Sequence, residues 1–222
     1  MATSEVIDIS HHNTLSDVAK VAADGVLGVF QKTTQGARFV DPTFAANKKK
    51  IQAGGLLFGA YHFGTAGDPS GQAEFFVNTA GPDALLVLDF EGNPQGLDMS
   101  LLEAEQFVHR VNELTGRYPG LYSGHTLKEA LAAQGMTSAA QTELSKCWLW
   151  IAQYAQSPLI PKVWKDWTFW QYTDGANGPQ PHTVAGVGRC DRDHFNGTAA
   201  QLKAFWKANS PAPSTARAGR SR

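Results

Sequence analysis

Residues 84–92 read ALLVLDFEG, an apolar run that ends in two carboxylates and a glycine. Five of the six residues from 84 to 89 are apolar, as in a strand buried on both faces. Strands covered on both sides belong to parallel sheets flanked by helices, so this stretch predicts an α/β protein. Side chains alternate along a strand, so Asp89 and Glu91 point to one side and Phe90 to the other, against the helices. Two acids sharing a face at the end of a buried strand need a reason. Composition does not force them there, because the formal net charge is only −1 over 222 residues.

Seven more segments read as strands: 5–10, 27–33, 56–63, 120–123, 147–154, 168–173 and 189–195, with the run above taken as 84–91. Helical patterns fill the gaps between the first five and follow the fifth. Segment 15–24 carries Leu15, Val18, Ala19 and Ala22 at helical spacing, and 42–53 opens after Asp41 as N-cap and closes at Gly54 and Gly55. Segments 72–79, 101–114 (after Ser100) and 126–133 follow, with Gly116 and Gly135 as stop signals. Strand–helix alternation with short links predicts parallel strands joined by right-handed crossovers, hence a barrel or a doubly wound sheet. No GxGxxG follows the first strand, which weighs against a dinucleotide-binding sheet. Links 155–167 and 174–188 are rich in Pro, Gly and Asn and lack a helical period. The expected architecture is therefore an irregular TIM-like β/α barrel of eight strands, the last three joined by loops, closed by a helix near 198–207. A single catalytic barrel spans 1–209, and the Pro/Ala/Ser-rich tail 210–222 reads as a disordered end.

The charge balance gives no electrostatic reason to expect nucleic acid or an anionic membrane as partner. No run of about 18 apolar residues predicts a transmembrane helix. The start, MATSEVIDIS, has neither a basic region nor a long apolar stretch, so no secretory signal is expected. Cys147 and Cys190 are too few for a disulfide framework and read as buried free thiols. A monomer is expected.

Acids recur near strand ends: Asp8 in VIDIS and Asp191 in RCDRDHF, besides Asp89 and Glu91. In a parallel barrel all strand C-termini open onto one face, and closure makes the first and last strands neighbours, so these four carboxyls would surround one pocket. Crowded, poorly solvated carboxyls leave a protonated acid beside an ionised one, which is what glycoside hydrolysis requires. Tyr61, Phe63, Tyr122, Trp150, Tyr154, Trp170 and Tyr172 cluster near strand ends, where rings can stack on sugars.

VIDIS, DPTFAANKKKIQAGGLLFGAYHF, LDFE, LYSG, LWIAQY, WTFWQYT and CDRDHFNG stand in an order that resembles glycoside hydrolase family 25, the Chalaropsis-type lysozymes, over residues 6–197. The resemblance implies an irregular β/α barrel and cleavage of the β-1,4 bond between N-acetylmuramic acid and N-acetylglucosamine in bacterial peptidoglycan. It implies Glu91 as general acid/base, Asp89 as the group that orients a nucleophilic acetamido substituent, and Asp8 and Asp191 as completing the acidic pocket. Tyr61, Tyr122, Tyr154, Trp170 and Gln171 would line the sugar site. No cofactor and no metal are implied, and action on the cell wall after release from the cytoplasm is expected. The chain departs from the family pattern at DISHHNT, where Asn13 replaces a frequent glutamine, and at Asp193, where asparagine is frequent.

Three rivals stand beside this reading. His11, His12, His62, His182 and His194 could suggest a metal-dependent polysaccharide deacetylase, but His11 and His12 would point apart if extended. A non-catalytic carbohydrate-binding barrel would not need both acids of LDFE. A cysteine or serine hydrolase lacks a His near Cys147 in sequence and any G-x-S-x-G.

Overall fold

The computed structural model describes residues 4–210. All eight expected strands form. They are β1 (Ser4–Ile9), β2 (Gly28–Gln35), β4 (Leu57–Phe63), β5 (Leu85–Asp89), β6 (Gly120–Ser123), β7 (Trp148–Ala152), β8 (Phe169–Thr173) and β11 (Asp191–Phe195). Three short pieces were not expected: β3 (Phe39–Val40), which pairs with β2, and the small hairpin β9 (Thr183–Val184) and β10 (Gly188–Arg189). Hydrogen bonding runs β1-β11-β8-β7-β6-β5-β4-β2, and the β1–β2 pairing closes the barrel.

From β1 through β2, β4, β5, β6 and β7 to β8 every neighbouring pair is parallel. β11 is antiparallel to both β1 and β8. This corrects the expectation of a fully parallel barrel. A parallel return needs a crossover of a dozen or more residues, usually helical. The link after β8 spends its length on the β9–β10 hairpin instead, so the chain comes back the other way. The start of β11, and not its end, therefore lies at the face where the other strands finish.

The helices are α1 (Val18–Ala23), α2 (Phe44–Ala53), α3 (Pro69–Ala80), α4 (Leu101–Thr115), α5 (His125–Ala133) and α6 (Ala199–Asn209). α4 begins as its sequence suggests: Ser100 and Glu103 form a reciprocal capping box, and Gly116 closes the helix with φ 73°. α2 starts two residues later than its pattern suggests, at Phe44. Asp41 is not its cap; its carboxylate accepts from the Thr43 N–H and hydroxyl and from His11. Between α5 and β7 lie two 3₁₀ turns, Ala139–Gln141 and Glu143–Lys146. Of the tail expected to be disordered, residues 211–222 lie outside the described residues.

Two apolar layers hold the barrel. Outward-facing strand residues such as Ile7, Val29, Ala60, Leu86, Leu88 and Phe90 pack against Phe76, Phe107, Val108 and Val111 of the helices. Inside, Val6, Phe30, Leu85, Val87, Trp150, Phe169 and Phe195 meet Leu202 and Trp206 of α6, which plugs one end. The Phe30 ring lies 4.5 Å from Trp150 and 4.8 Å from Trp206 between centroids. Gly59 makes room for it, since a Cβ there would come within 2.1 Å of Phe30.

Candidate active site

The other end of the barrel is open and acidic. Asp8, Tyr61, Asp89, Glu91, Tyr122, Trp150 and Asp191 line one pocket. All four sequence-predicted carboxyls thus come together, and the antiparallel course of β11 places Asp191 directly opposite Asp8 in register.

The backbone around the acids is tightly held. β5 ends at Asp89, and the Phe90 N–H still donates to the Tyr122 carbonyl at 2.9 Å. The Ser123 hydroxyl donates to the Phe90 carbonyl at 2.6 Å and in turn accepts from Leu127 at the start of α5. With Phe90 buried in the outer layer, Asp89 and Glu91 are both presented to the mouth.

Burial, and then the neighbouring Glu91, push the Asp89 carboxyl well above the usual range, while Lys32 pulls it back. Burial raises Glu91 too, against the attraction of His125 and Lys32. The pair therefore keeps a proton between them at pH values where free carboxyls are ionised. Asp89 Oδ1 is buried and has no hydrogen-bond partner among the described residues. An acceptor in that state costs free energy until a donor arrives.

Across the pocket, burial and then Asp8 raise Asp191 to about 9. Asp8 is raised by burial and by Asp193, and is held by hydrogen bonds from Gln171 and Asp191. Gln171 Nε2 donates to Asp8 Oδ2 at 2.8 Å, while its Oε1 accepts from the hydroxyls of Tyr122 at 2.8 Å and Tyr154 at 2.9 Å. One amide thus joins two tyrosines to an acid. Burial keeps the Tyr61 and Tyr122 hydroxyls un-ionised and able to donate.

Among the predicted aromatic residues, Tyr61 and Tyr122 line the pocket, and Tyr154 stands at its rim, 41% exposed and tied to Gln171. Trp170 does not join them. On β8 the inward residues are Phe169 and Gln171, so Trp170 faces the outer layer beside Trp167 and Tyr172, its indole N–H donating to the Gln153 carbonyl. Trp150 takes the place on the wall expected of Trp170.

Three further residues are not assigned to the site by the sequence, although Trp150 is among its strand-end aromatics. Trp150 donates through Nε1 to Asp193 Oδ1 at 2.7 Å, and Asp193 is a fifth carboxyl, fully buried beneath Asp8 and Asp191. Lys32 is the cation whose charge reaches Asp89, Asp41 and Glu91. Asp193 lies two residues from Asp191, which the sequence already places in the pocket, whereas Lys32 and Trp150 follow two residues after the inward aromatics Phe30 and Trp148 of the structure. The two-residue period could have found Asp193; the other two needed the inward face of their strands to be known. His11 and His12 are not extended, so the alternation that would point them apart does not apply. They sit in a turn closed by Asn13 N–H to Ser10 C=O, and their rings lie side by side at 4.0 Å between centroids, tilted by 39°. Both cysteines are buried and free, and burial pushes each thiol far up, which leaves no ready nucleophile. Among the described residues no group of three or more His, Cys, Asp or Glu is arranged to hold a metal ion.

The model of the family described as Glycosyl hydrolases family 25 matches residues 7–180. The chain belongs to that family. Lysozyme M1 of Streptomyces globisporus is 32% identical over 211 residues, covering 90% of this chain and 70% of its own. The N,O-diacetylmuramidase of a Chalaropsis species is 28% identical over 191 residues, 78% of this chain and 89% of its own. Among solved structures, the bacterial lysozyme from Streptomyces coelicolor superposes with a TM-score of 0.79 at 27% identity, covering 94% and 99% of the two chains. The family 25 lysozyme from Aspergillus fumigatus gives 0.75 at 28% identity, covering 94% and 100%. This family 25 hydrolase thus shares its closed eight-stranded barrel with lysozymes of bacterial and fungal origin.

Proposed function

We propose that this family 25 hydrolase is an N-acetylmuramidase that cuts the β-1,4 bond between N-acetylmuramic acid and N-acetylglucosamine in bacterial peptidoglycan. Relatives named lysozyme and N,O-diacetylmuramidase support the substrate. The observation that carries the mechanism is the buried, unpartnered Asp89 Oδ1 beside a Glu91 carboxyl that burial also raises.

An acetamido N–H is the donor that Asp89 lacks. Accepting it favours the ionised form of Asp89, and the new negative charge raises Glu91 further, so substrate binding moves the shared proton onto Glu91. Glu91 then gives that proton to the glycosidic oxygen as the bond to C1 breaks. The acetamido carbonyl oxygen, its nucleophilicity increased by Asp89, closes onto C1 to form an oxazolinium ion. Glu91, now ionised, takes a proton from water as the water oxygen attacks C1. The ring opens, the acetamido group is restored and Glu91 is protonated again. Tyr61 and Tyr122 supply neutral hydroxyls to the sugar, and the buried Trp150 forms part of the pocket floor.

Among the described residues no helix is long and apolar enough to cross a membrane; the wall is the proposed site of action. Fragment analysis of digested peptidoglycan tests the reading. New reducing ends on muramic acid are expected, whereas new ends on glucosamine, or none, refute it.

A further inference from the structure

Beside the acidic pocket runs a second groove of different chemistry. His11, His12, Lys32, Phe63, Asn93 and Gln95 are among the residues that line it, and no carboxylate is. The acidic pocket, conversely, has no basic residue in its lining. The two are neighbours. Phe63 is the register partner of Asp89 on the neighbouring strand, Asn93 follows Glu91 by two residues, and Lys32 faces Asp89 and Glu91.

The groove is also built to keep its shape. Asp41, whose side chain is fully covered, holds His11 through both its backbone N–H (2.9 Å) and its ring Nδ1 (2.8 Å). His11 in turn packs against His12 on one side and Phe39 on the other. Lys32 Nζ lies 4.9 Å from the Phe63 ring centroid and donates to Gln35 Oε1 at 2.7 Å. On the opposite wall Asp98 accepts from the Asn93 N–H at 2.6 Å, and Thr65 bridges to Asp98, joining the loops after β4 and β5. The His12 ring is exposed and has no hydrogen-bond partner among the described residues.

We infer that this groove is a subsite for the peptide stem carried by muramic acid, holding its backbone amides and a free carboxylate. The inference rests on the muramidase reading above. Muramic acid bears its peptide through a lactyl ether on C3, one ring carbon from the acetamido group on C2. With the acetamido group on Asp89, the C3 branch leaves past Phe63 and enters the groove. There Lys32 meets a carboxylate, and Asn93, Gln95 and the imidazoles of His11 and His12 meet peptide N–H and C=O groups. A strand stripped of its stem offers the groove only the short lactyl carboxylate left on C3, and none of the stem's backbone amides.

The test compares three substrates made from one glycan preparation: peptide-bearing strands, strands stripped of peptide by an amidase, and peptide-bearing strands with their carboxylates capped as amides. The wild-type kcat/KM is expected to be about tenfold or more higher on peptide-bearing strands than on stripped ones, with capping removing much of the gain. The double variant His12→Ala/Gln95→Ala, changed only at exposed side chains, is expected to lose most of that preference through KM while keeping its rate on stripped strands. Equal wild-type rates on peptide-bearing and stripped strands overturn the subsite, as does a variant that slows on both alike. An unchanged preference after capping overturns the carboxylate's place at Lys32. Failure to cleave any of the three strikes the muramidase reading itself.

Discussion

At its closed end the barrel interior is dry and aromatic, with Phe30, Phe169, Phe195 and Trp206 packed edge and face around one another. Two residues further toward the mouth, the same inward positions turn polar. Val6 gives way to Asp8, Phe30 to Lys32, Gly59 to Tyr61, Val87 to Asp89, Gly120 to Tyr122 and Phe169 to Gln171. On antiparallel β11 the same upward step leads from Phe195 to Asp193. Neighbouring strands thus change character at one level, as stacked layers in a barrel allow. Trp150 belongs to both levels: its ring packs on Phe30 below, and its N–H reaches Asp193 above. On the proposed mechanism one layer carries stability and the next carries chemistry, so substitutions in the two should have opposite signatures.

The largest expected effect is in the upper layer. Glu91→Gln keeps shape and hydrogen-bonding capacity but removes the proposed proton donor, so turnover on peptidoglycan should fall by about three orders of magnitude or more. The thermal midpoint should not fall, because the variant relieves repulsion with Asp89. Turnover within tenfold of wild type would remove Glu91 from the chemistry and leave the upper layer without its assigned role.

The lower layer should behave in reverse. Trp206 is 3% exposed, fills the plug and donates to the Phe58 carbonyl at 2.9 Å. Trp206→Ala should cost about 3–5 kcal/mol of stability, read as a lower denaturant midpoint. Under conditions where it remains folded, kcat should stay within a few-fold of wild type. A collapse of kcat in a well-folded variant would mean that the layers are coupled and the division is false.

Much of this layering could be read from the sequence, because the period of two and the apolar run before Asp89 are local facts. The barrel, its strands and the meeting of Asp8, Asp89, Glu91 and Asp191 follow from that pattern once closure is assumed. What could not be read depends on through-space pairing. The reversed direction of β11 depends on how the β9–β10 hairpin folds back, and its local sequence looks like any short strand. Trp170 is a strand aromatic like Trp150, and only the register says which one faces inward. Asp41 reads as a helix cap, yet its hydrogen bonds to His11, thirty positions away in sequence, serve the groove instead.

The smallest and most discriminating effect lies in the acid pair Asp8 and Asp191. The folded-state pKa of Asp191 is raised to about 9, by burial and then by Asp8. A carboxyl raised in this way binds its proton more tightly folded than unfolded. Its contribution to stability is fully present below the unfolded value and is lost as pH rises through the folded one. The wild-type midpoint should therefore decline between about pH 4 and pH 9. Asp191→Asn removes the titration while keeping a hydrogen-bond donor toward Asp8, so the decline should become shallower. Near pH 7 the variant should be the more stable protein, by on the order of 1 kcal/mol or a few degrees. The same substitution should lower activity, since Asp191 also helps set the charge of the pocket around Glu91. A gain in stability accompanied by a loss of rate is the mark of a group kept for function against the interest of the fold. If Asp191→Asn instead lowered the midpoint at pH 7, the upper layer would be contributing to stability like the lower one, and the contrast between the two ends of the barrel would fail there.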